Sequence, residues 1–228
     1  MEQRNEHLCG RLHRGQRAEI ITAVKEQLPP KDAQAIHFAD ILLQNIELGK
    51  YADDSGELNA QRDRMMAENT LWILQQEQAR GNSRILISGH NNHIMQCENA
   101  GTPVLGSLLA EELGGGYFAI GTDFYKSVCN LPKPYTGKRI THTFYSYDPL
   151  AKASKKCSFD VSFLDFSKVP EGSALTEYIA NSISMGSLGE SYSVLMNFVP
   201  RSYRVQRIPQ DAYDAMIFAA NAAPIEIR

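Results

Sequence analysis

The chain has 228 residues, and 23 Lys+Arg against 26 Asp+Glu give a formal charge of −3. That is one large domain or two small ones, at roughly 100–200 residues each, and enough chain to bury a substantial core. A pI of 6.1 argues against a nucleic-acid surface, which usually needs a domain pI above about 9. No apolar run approaches the ~20 residues of a membrane span, and the start MEQRNEHLCG lacks the apolar centre of a signal peptide, so a cytoplasmic location is expected.

The first third reads as helical. Arg17 to Leu28 carries Ile20, Ile21 and Val24 at helical spacing, and Pro29-Pro30 stops it. Asp32 caps a second helix to about Lys50, Asp53-Asp54-Ser55-Gly56 reads as a loop, and a third helix runs from about Asn59 to Arg80. At Gly81 the texture changes. Arg84-Ile85-Leu86-Ile87-Ser88 is a short apolar run that predicts a buried parallel strand. Thr102-Pro103 predicts a helix start with Thr as cap, Val104 to Leu113 form its body, and Gly114-Gly115-Gly116 end it. Tyr117 to Gly121 reads as the next strand, which completes a βαβ unit. Ile140–Tyr147 and Phe159–Phe166 are further strands, Leu175–Ser182 a short helix, and Val194–Val199 and Ala215–Ala219 short apolar runs. The prediction is an α/β fold, helices on a mainly parallel central sheet, with residues 1–228 as a single domain: helical over 1–80 and α/β over 81–228.

Cys9, Cys97, Cys129 and Cys157 are widely spaced, with no C-x-x-C pair, which argues against a zinc ribbon or a disulfide scaffold. They read as small buried hydrophobes. The clearest candidate for chemistry is His90-Asn91-Asn92-His93. Two imidazoles three residues apart follow an expected strand, and ligands of open α/β sheets bind at the carboxyl ends of strands. A histidine can take and return a proton near neutrality, and a positioned general base is worth roughly 10²–10⁴ in rate. The same spacing fits two loop histidines satisfied by backbone groups. It also fits a metal pair, with Cys97 or Glu98 as a third ligand, although this is not the H-E-x-x-H helix.

A second constellation lies on the third helix. Arg62, Met66, Asn69 and Ile73 share a face, so two polar groups ride on an apolar stripe. Arg62 could hold a carboxylate or polarise an ester carbonyl, and Asn69 could orient a histidine or water; a rim Arg and Asn would give the same spacing. Arg64 and Glu68, four apart, read as a solvated ion pair. The chain has no G-x-S-x-G elbow, and its glycine clusters are not phosphate loops.

Four segments carry a family resemblance. Arg62-Asp63-x-x-Met66-Ala67-Glu68-Asn69 resembles the R-D-x-x-M-A-x-N helix of the erythromycin esterase family. His90-Asn91-Asn92-His93-Ile94 resembles its W-A-H-N-x-H-v segment, with Ser88-Gly89 in place of Trp-Ala. Leu105-Gly106 to Leu113-Gly114 with Tyr117 to Phe124 is similar to the family's next helix and strand, and Tyr213-Asp214 before Ala215-Met216-Ile217-Phe218 to its closing strand. The resemblance implies a metal-independent hydrolase that opens a macrolide lactone by histidine-activated water, with no cofactor and with antibiotic resistance as the associated role. It implies catalytic His90 and His93, and substrate contacts from Arg62, Asn69 and Asn91. Nothing before about residue 58 shows the family's N-terminal histidine and glutamate motifs, so the sequence resembles the C-terminal part of a member, an incomplete version of the fold. Three expectations therefore compete: this hydrolase acting on a small-molecule ester, without nucleic acid or membrane; a non-catalytic remnant or half of a split enzyme whose N-terminal half is missing; and a metal-dependent hydrolase built on His90 and His93.

Overall fold

A computed structural model describes residues 13–189 and 191–224; His7 and Cys9 lie outside the described residues. Contacts divide the chain into two units, Met1–Ile85 and Leu86–Arg228. The division falls close to the change of texture at Gly81.

The first unit is helical. Helix α1 spans Arg14–Gln27, α2 Ala33–Leu48 and α3 Ser55–Ala79. Asp32 caps α2 by accepting from the Ala35 N–H at 3.0 Å. Asp54 caps α3, accepting from the Gly56 and Glu57 N–H groups, so part of the expected Asp53–Gly56 loop is helix start. Gly81, at φ +91°, supplies the left-handed residue that ends the segment. A Lys25–Asp40 ion pair ties α1 to α2. His37 of α2 stacks on Trp72 of α3, rings 3.8 Å apart and nearly parallel. The most buried residues of α3 are Asp63 and Ala67, so its inner face is turned one residue from the Arg62–Met66–Asn69–Ile73 stripe. The expected Arg64–Glu68 ion pair does not form; Glu68 accepts from Gln44 instead.

The second unit holds the sheet. After a four-residue helix α4, Asn91–Ile94, and α5, Leu105–Leu113, come strands β1, Ile120–Pro132, and β2, Arg139–Tyr145. Helix α6, Pro149–Ser154, leads to β3, Val161–Asp165. Helix α7, Ala174–Ala180, precedes β4, Ile183–Gly186. Then come β5, Arg204–Arg207, the short helix α8, Pro209–Ala212, and β6, Ala215–Ala222. The main sheet has the order β2-β1-β6-β3, and β4-β5 form a separate pair. The α/β class stands, with the parallel pairing confined to the central β1–β6 pair; β1–β2 and β3–β6 are antiparallel.

The expected strand Arg84–Ser88 does not form: this stretch pairs with no strand among the described residues, and Leu86 is 92% exposed. An apolar run records a demand for burial, but not the neighbour that would meet it. Helix α5 begins two residues later than Thr102-Pro103 suggested, because Thr102 is held in an isolated bridge with Asn99. The apolar run at Val194 forms a single 3₁₀ turn, Val194–Asn197. Cys157 is exposed rather than buried. No helix among the described residues is long and apolar enough to cross a membrane.

Met95, Val104, Ala119, Ala151, Met185, Ala212, Tyr213, Met216 and Phe218 form the main core of this unit. Two close approaches, one between α5 and the end of α4 and one between β1 and Tyr213, tighten the packing around it. A Cβ on Gly106 would lie 2.4 Å from the backbone of Ile94 and Met95, and one on Gly121 would lie 2.8–2.9 Å from the Tyr213 ring. Tyr117 Oη donates to the Ile94 carbonyl at 2.6 Å. Gly106→Ala should therefore destabilise the protein by about 1–3 kcal/mol, the usual cost of overpacking, seen as a lower urea midpoint with little change in slope.

Candidate active site

The site is built where α4 meets β1. His90 is the cap residue of α4, and its Nδ1 accepts from the Asn92 N–H at 3.3 Å. One turn of helix then carries Asn91, Asn92 and His93. Asn91 fixes this turn to the sheet: its Nδ2 donates to the Thr122 carbonyl at 2.6 Å, and its Oδ1 accepts from the Thr122 N–H at 3.0 Å and hydroxyl at 3.1 Å. Its amide oxygen is thus spent on β1 rather than offered to a ligand. Tyr213 Oη adds a 3.4 Å contact to the Asn91 carbonyl.

A neutral imidazole has one N–H and one lone pair. With Nδ1 accepting from the Asn92 N–H, the proton belongs on Nε2. The two ring nitrogens are therefore set apart in role by the backbone alone. Partial burial of the ring lowers the His90 pKa below 6.5, the neighbouring His93 lowers it further, and the Leu188 carbonyl opposes both.

A cation stands beside the turn. Arg207, on β5, donates from Nη2 to Asn99 Oδ1 at 2.6 Å and to Asn92 Oδ1 at 3.5 Å, and from Nη1 to the Gln206 carbonyl at 3.0 Å. Its Nε is buried without a partner, and no carboxylate among the described residues pairs with it. Sequence reasoning missed Arg207, because it belongs to no motif and meets Asn92 and Asn99 only through the fold. It likewise missed the Leu188 carbonyl, which is a backbone group with no side-chain signature.

The structure thus brings His90, Asn91 and His93 together on one turn. Arg62 and Asn69 lie on α3 in the first unit. Arg62 is exposed. Asn69 Nδ2 donates to Gln44 Oε1 at 2.9 Å, while its Oδ1 is buried without a partner. For a metal, the donor set is short. Among the described residues no group of three or more His, Cys, Asp or Glu is placed to hold an ion, so neither Cys97 nor Glu98 completes a site with His90 and His93. The Cys97 thiol is pushed up in pKa by burial, which disfavours the thiolate a metal would need.

The erythromycin esterase family model matches residues 6–222, most of the chain. The protein belongs to the erythromycin esterase family. The match extends over the stretch before residue 58, where no motif was legible. No curated protein matches the chain. Two solved structures share the fold. A succinoglycan biosynthesis protein is similar at a TM-score of 0.74 and 15% identity, covering 94% of this chain and 52% of its own. A Bacillus cereus protein is similar at 0.70 and 20% identity, covering 92% and 51%. This family member thus spans about half the length of the solved structures it matches.

His90 should titrate below 6.5 when followed through its ring Cε1–H signal by NMR. The unfolded chain takes this proton first as pH falls through 6.5. The His90 contribution should therefore lower folded stability from there down to the folded pKa, and a His90→Gln variant should lack that slope.

Proposed function

We propose that this family member is a hydrolase of a small-molecule ester, with a macrolide lactone as the first candidate, and that His90 activates the attacking water. The observation that supports this most is the state of the His90 ring. Its Nδ1 accepts only a long bond from the Asn92 N–H, so the neutral ring keeps its proton on Nε2 with Nδ1 as the basic atom, and partial burial favours that neutral form. A neutral imidazole with a basic nitrogen is what general-base catalysis uses.

In this reading a water loses its proton to His90 Nδ1 while its oxygen adds to the ester carbonyl. The imidazolium that forms is stabilised by the Leu188 carbonyl, and it returns the proton to the leaving alkoxide as the C–O bond breaks. The products are a carboxylic acid and an alcohol. Negative charge on the carbonyl oxygen needs a donor. His93 in its protonated form can supply one, and so can Arg207, a guanidinium that no carboxylate neutralises. Asn91 acts by holding the turn to Thr122. Arg62 and Asn69 are assigned to the substrate on the family motif. The reaction needs no cofactor, and the proposed setting is cytoplasmic.

A second reading, a remnant or one half of a split enzyme, draws on the length relative to the solved structures. One experiment addresses both. Purified protein is incubated with erythromycin and with p-nitrophenyl acetate, and the products are followed by mass spectrometry. Gain of one water by erythromycin is expected, with His90→Ala lowering kcat by about 10²–10⁴. No turnover of either ester would favour the second reading, and full turnover by His90→Ala would overturn the role of His90. The rate should fall as pH drops below the depressed His90 pKa, because only the neutral ring accepts a proton.

Arg207→Gln should lower kcat by about 10²–10³ if its charge meets the oxyanion, with Arg207→Lys recovering part of the loss. An unchanged kcat in Arg207→Gln would leave His93 as the donor.

A further inference from the structure

The β1–β6 pairing ends at Ser127 and Ala222, and beyond it β1 and β2 pair only with each other among the described residues. This hairpin is an arm with a braced base. Cys129, Leu131 and Ile140 pack on Phe144, Tyr192 and Tyr203, and the Tyr192 N–H donates to the Pro132 carbonyl at 2.8 Å. Two loops adjoin there. At the tip of the arm the Thr136 N–H donates to the Pro134 carbonyl at 2.8 Å, closing a three-residue turn with Tyr135 at φ +67°. A glycine adopts this conformation freely, whereas a tyrosine is strained in it. The Tyr135 side chain is fully exposed, so no packing among the described residues offsets the strain. Two residues past Tyr192, the 3₁₀ turn Val194–Asn197 begins; Val194, Leu195 and Phe198 are all more than half exposed, Phe198 at 77%. Exposed apolar side chains scattered singly are ordinary, but four on adjoining loops mark a contact surface.

Charge is sorted onto the same two segments. Residues 124–147 and 191–210 hold seven of the 23 Lys+Arg and none of the 26 Asp+Glu, in a chain whose formal charge is −3. Arg207 turns to Asn99 and Arg204 to the Tyr145 carbonyl. Lys133, Lys138, Arg139 and Arg201 flank the apolar tips, and none of them is in an ion pair among the described residues. We propose that this end of the second unit docks on an anionic lipid bilayer, with Tyr135, Val194, Leu195 and Phe198 entering the headgroup–acyl boundary and the four cations meeting lipid phosphates. The contact is peripheral and independent of the hydrolase reading. Aromatic and aliphatic tips ringed by Lys and Arg are what such a boundary takes up. A nucleic-acid backbone would use the cations but leave Val194, Leu195 and Phe198 in water. A second copy in a two-fold contact would set the basic segments against each other. A stable protein partner needs about 800 Å² on each side, more than two narrow tips present.

The test is co-sedimentation of the full chain with vesicles of phosphatidylcholine alone and of equal parts phosphatidylcholine and phosphatidylserine. Binding is expected to the anionic vesicles only, and it should fall steeply between about 0.05 and 0.5 M salt. Lys133→Gln combined with Lys138→Gln lowers the partition coefficient about 25-fold, about fivefold for each cation. Phe198→Ser lowers it about tenfold through lost apolar burial. All these side chains are at the surface, and circular dichroism checks that each variant is folded. Insertion is read with Phe198→Trp, whose emission shifts to the blue on anionic vesicles, while the native chain, with its single Trp72, shows no shift. No binding to anionic vesicles at low salt overturns the proposal, as does equal binding to neutral ones or an unchanged partition coefficient in the double lysine variant. Tighter binding to a DNA duplex than to the vesicles overturns it in favour of a nucleic acid. A dimer seen by sedimentation and abolished by Phe198→Ser overturns it in favour of a second copy.

Discussion

Much of the second unit depends on one half-buried carboxylate, Asp214. It stands immediately before β6 and accepts from the Ala119 N–H at 2.7 Å, just before β1, and from the Gln96 side-chain amide, just after the histidine turn. In return the Asp214 N–H donates to the Ala119 carbonyl at 2.9 Å. A charge-assisted bond to a backbone donor is among the stronger neutral-pH contacts a protein can make. Here it sets the point at which two sequence-distant strands begin their parallel pairing. It also ties the chain leaving the histidine turn to the start of the sheet. The Tyr-Asp pair of the closing strand thus has a physical role on both sides: Tyr213 packs its ring against Gly121, and Asp214 fixes the start of the β1–β6 pairing.

Once β1 and β6 are set, the site follows from consecutive positions on β1. Side chains alternate across a strand, so Thr122 and Asp123 point to opposite faces. One meets Asn91 beside the strand, and the other meets Gly186 at the edge of the small β4–β5 pair. A loop histidine left to itself would sample many orientations; as the cap of α4, His90 has its Nδ1 held to the Asn92 N–H.

Three acids, Asp214 half-buried and Asp148 and Asp123 buried, show three ways of meeting the cost of burial. Asp214 is met by two donors. Asp148 is the cap of α6, accepting from the Leu150 and Ala151 N–H groups and from the Tyr178 hydroxyl, yet burial still raises its pKa. Asp123 has two backbone donors and the more distant help of Arg204, whose guanidinium lies over the Tyr147 ring at 4.3 Å. Arg207 is the opposite case, a cation held by neutral amides.

The sequence by itself determined the α/β class, the helical first third, the cap residue Asp32, the helix around Leu105 to Leu113, and the closing strand at Ala215. These are set by local rules: apolar spacing, side-chain caps and breakers act within a few residues. It also singled out His90 and His93, because two imidazoles in one turn stand out without any structure. It did not determine that Arg84 to Ser88 would lack a partner strand, since an apolar run does not name its neighbour. Nor did it show that Asn91 serves Thr122, that Asp123 holds Gly186, or that Arg207 belongs beside the turn. Those relations join residues about 30 to 115 positions apart through backbone atoms and single hydrogen bonds. Only the tertiary structure decided them, because the parallel pairing of β1 with β6 brings those segments to one place.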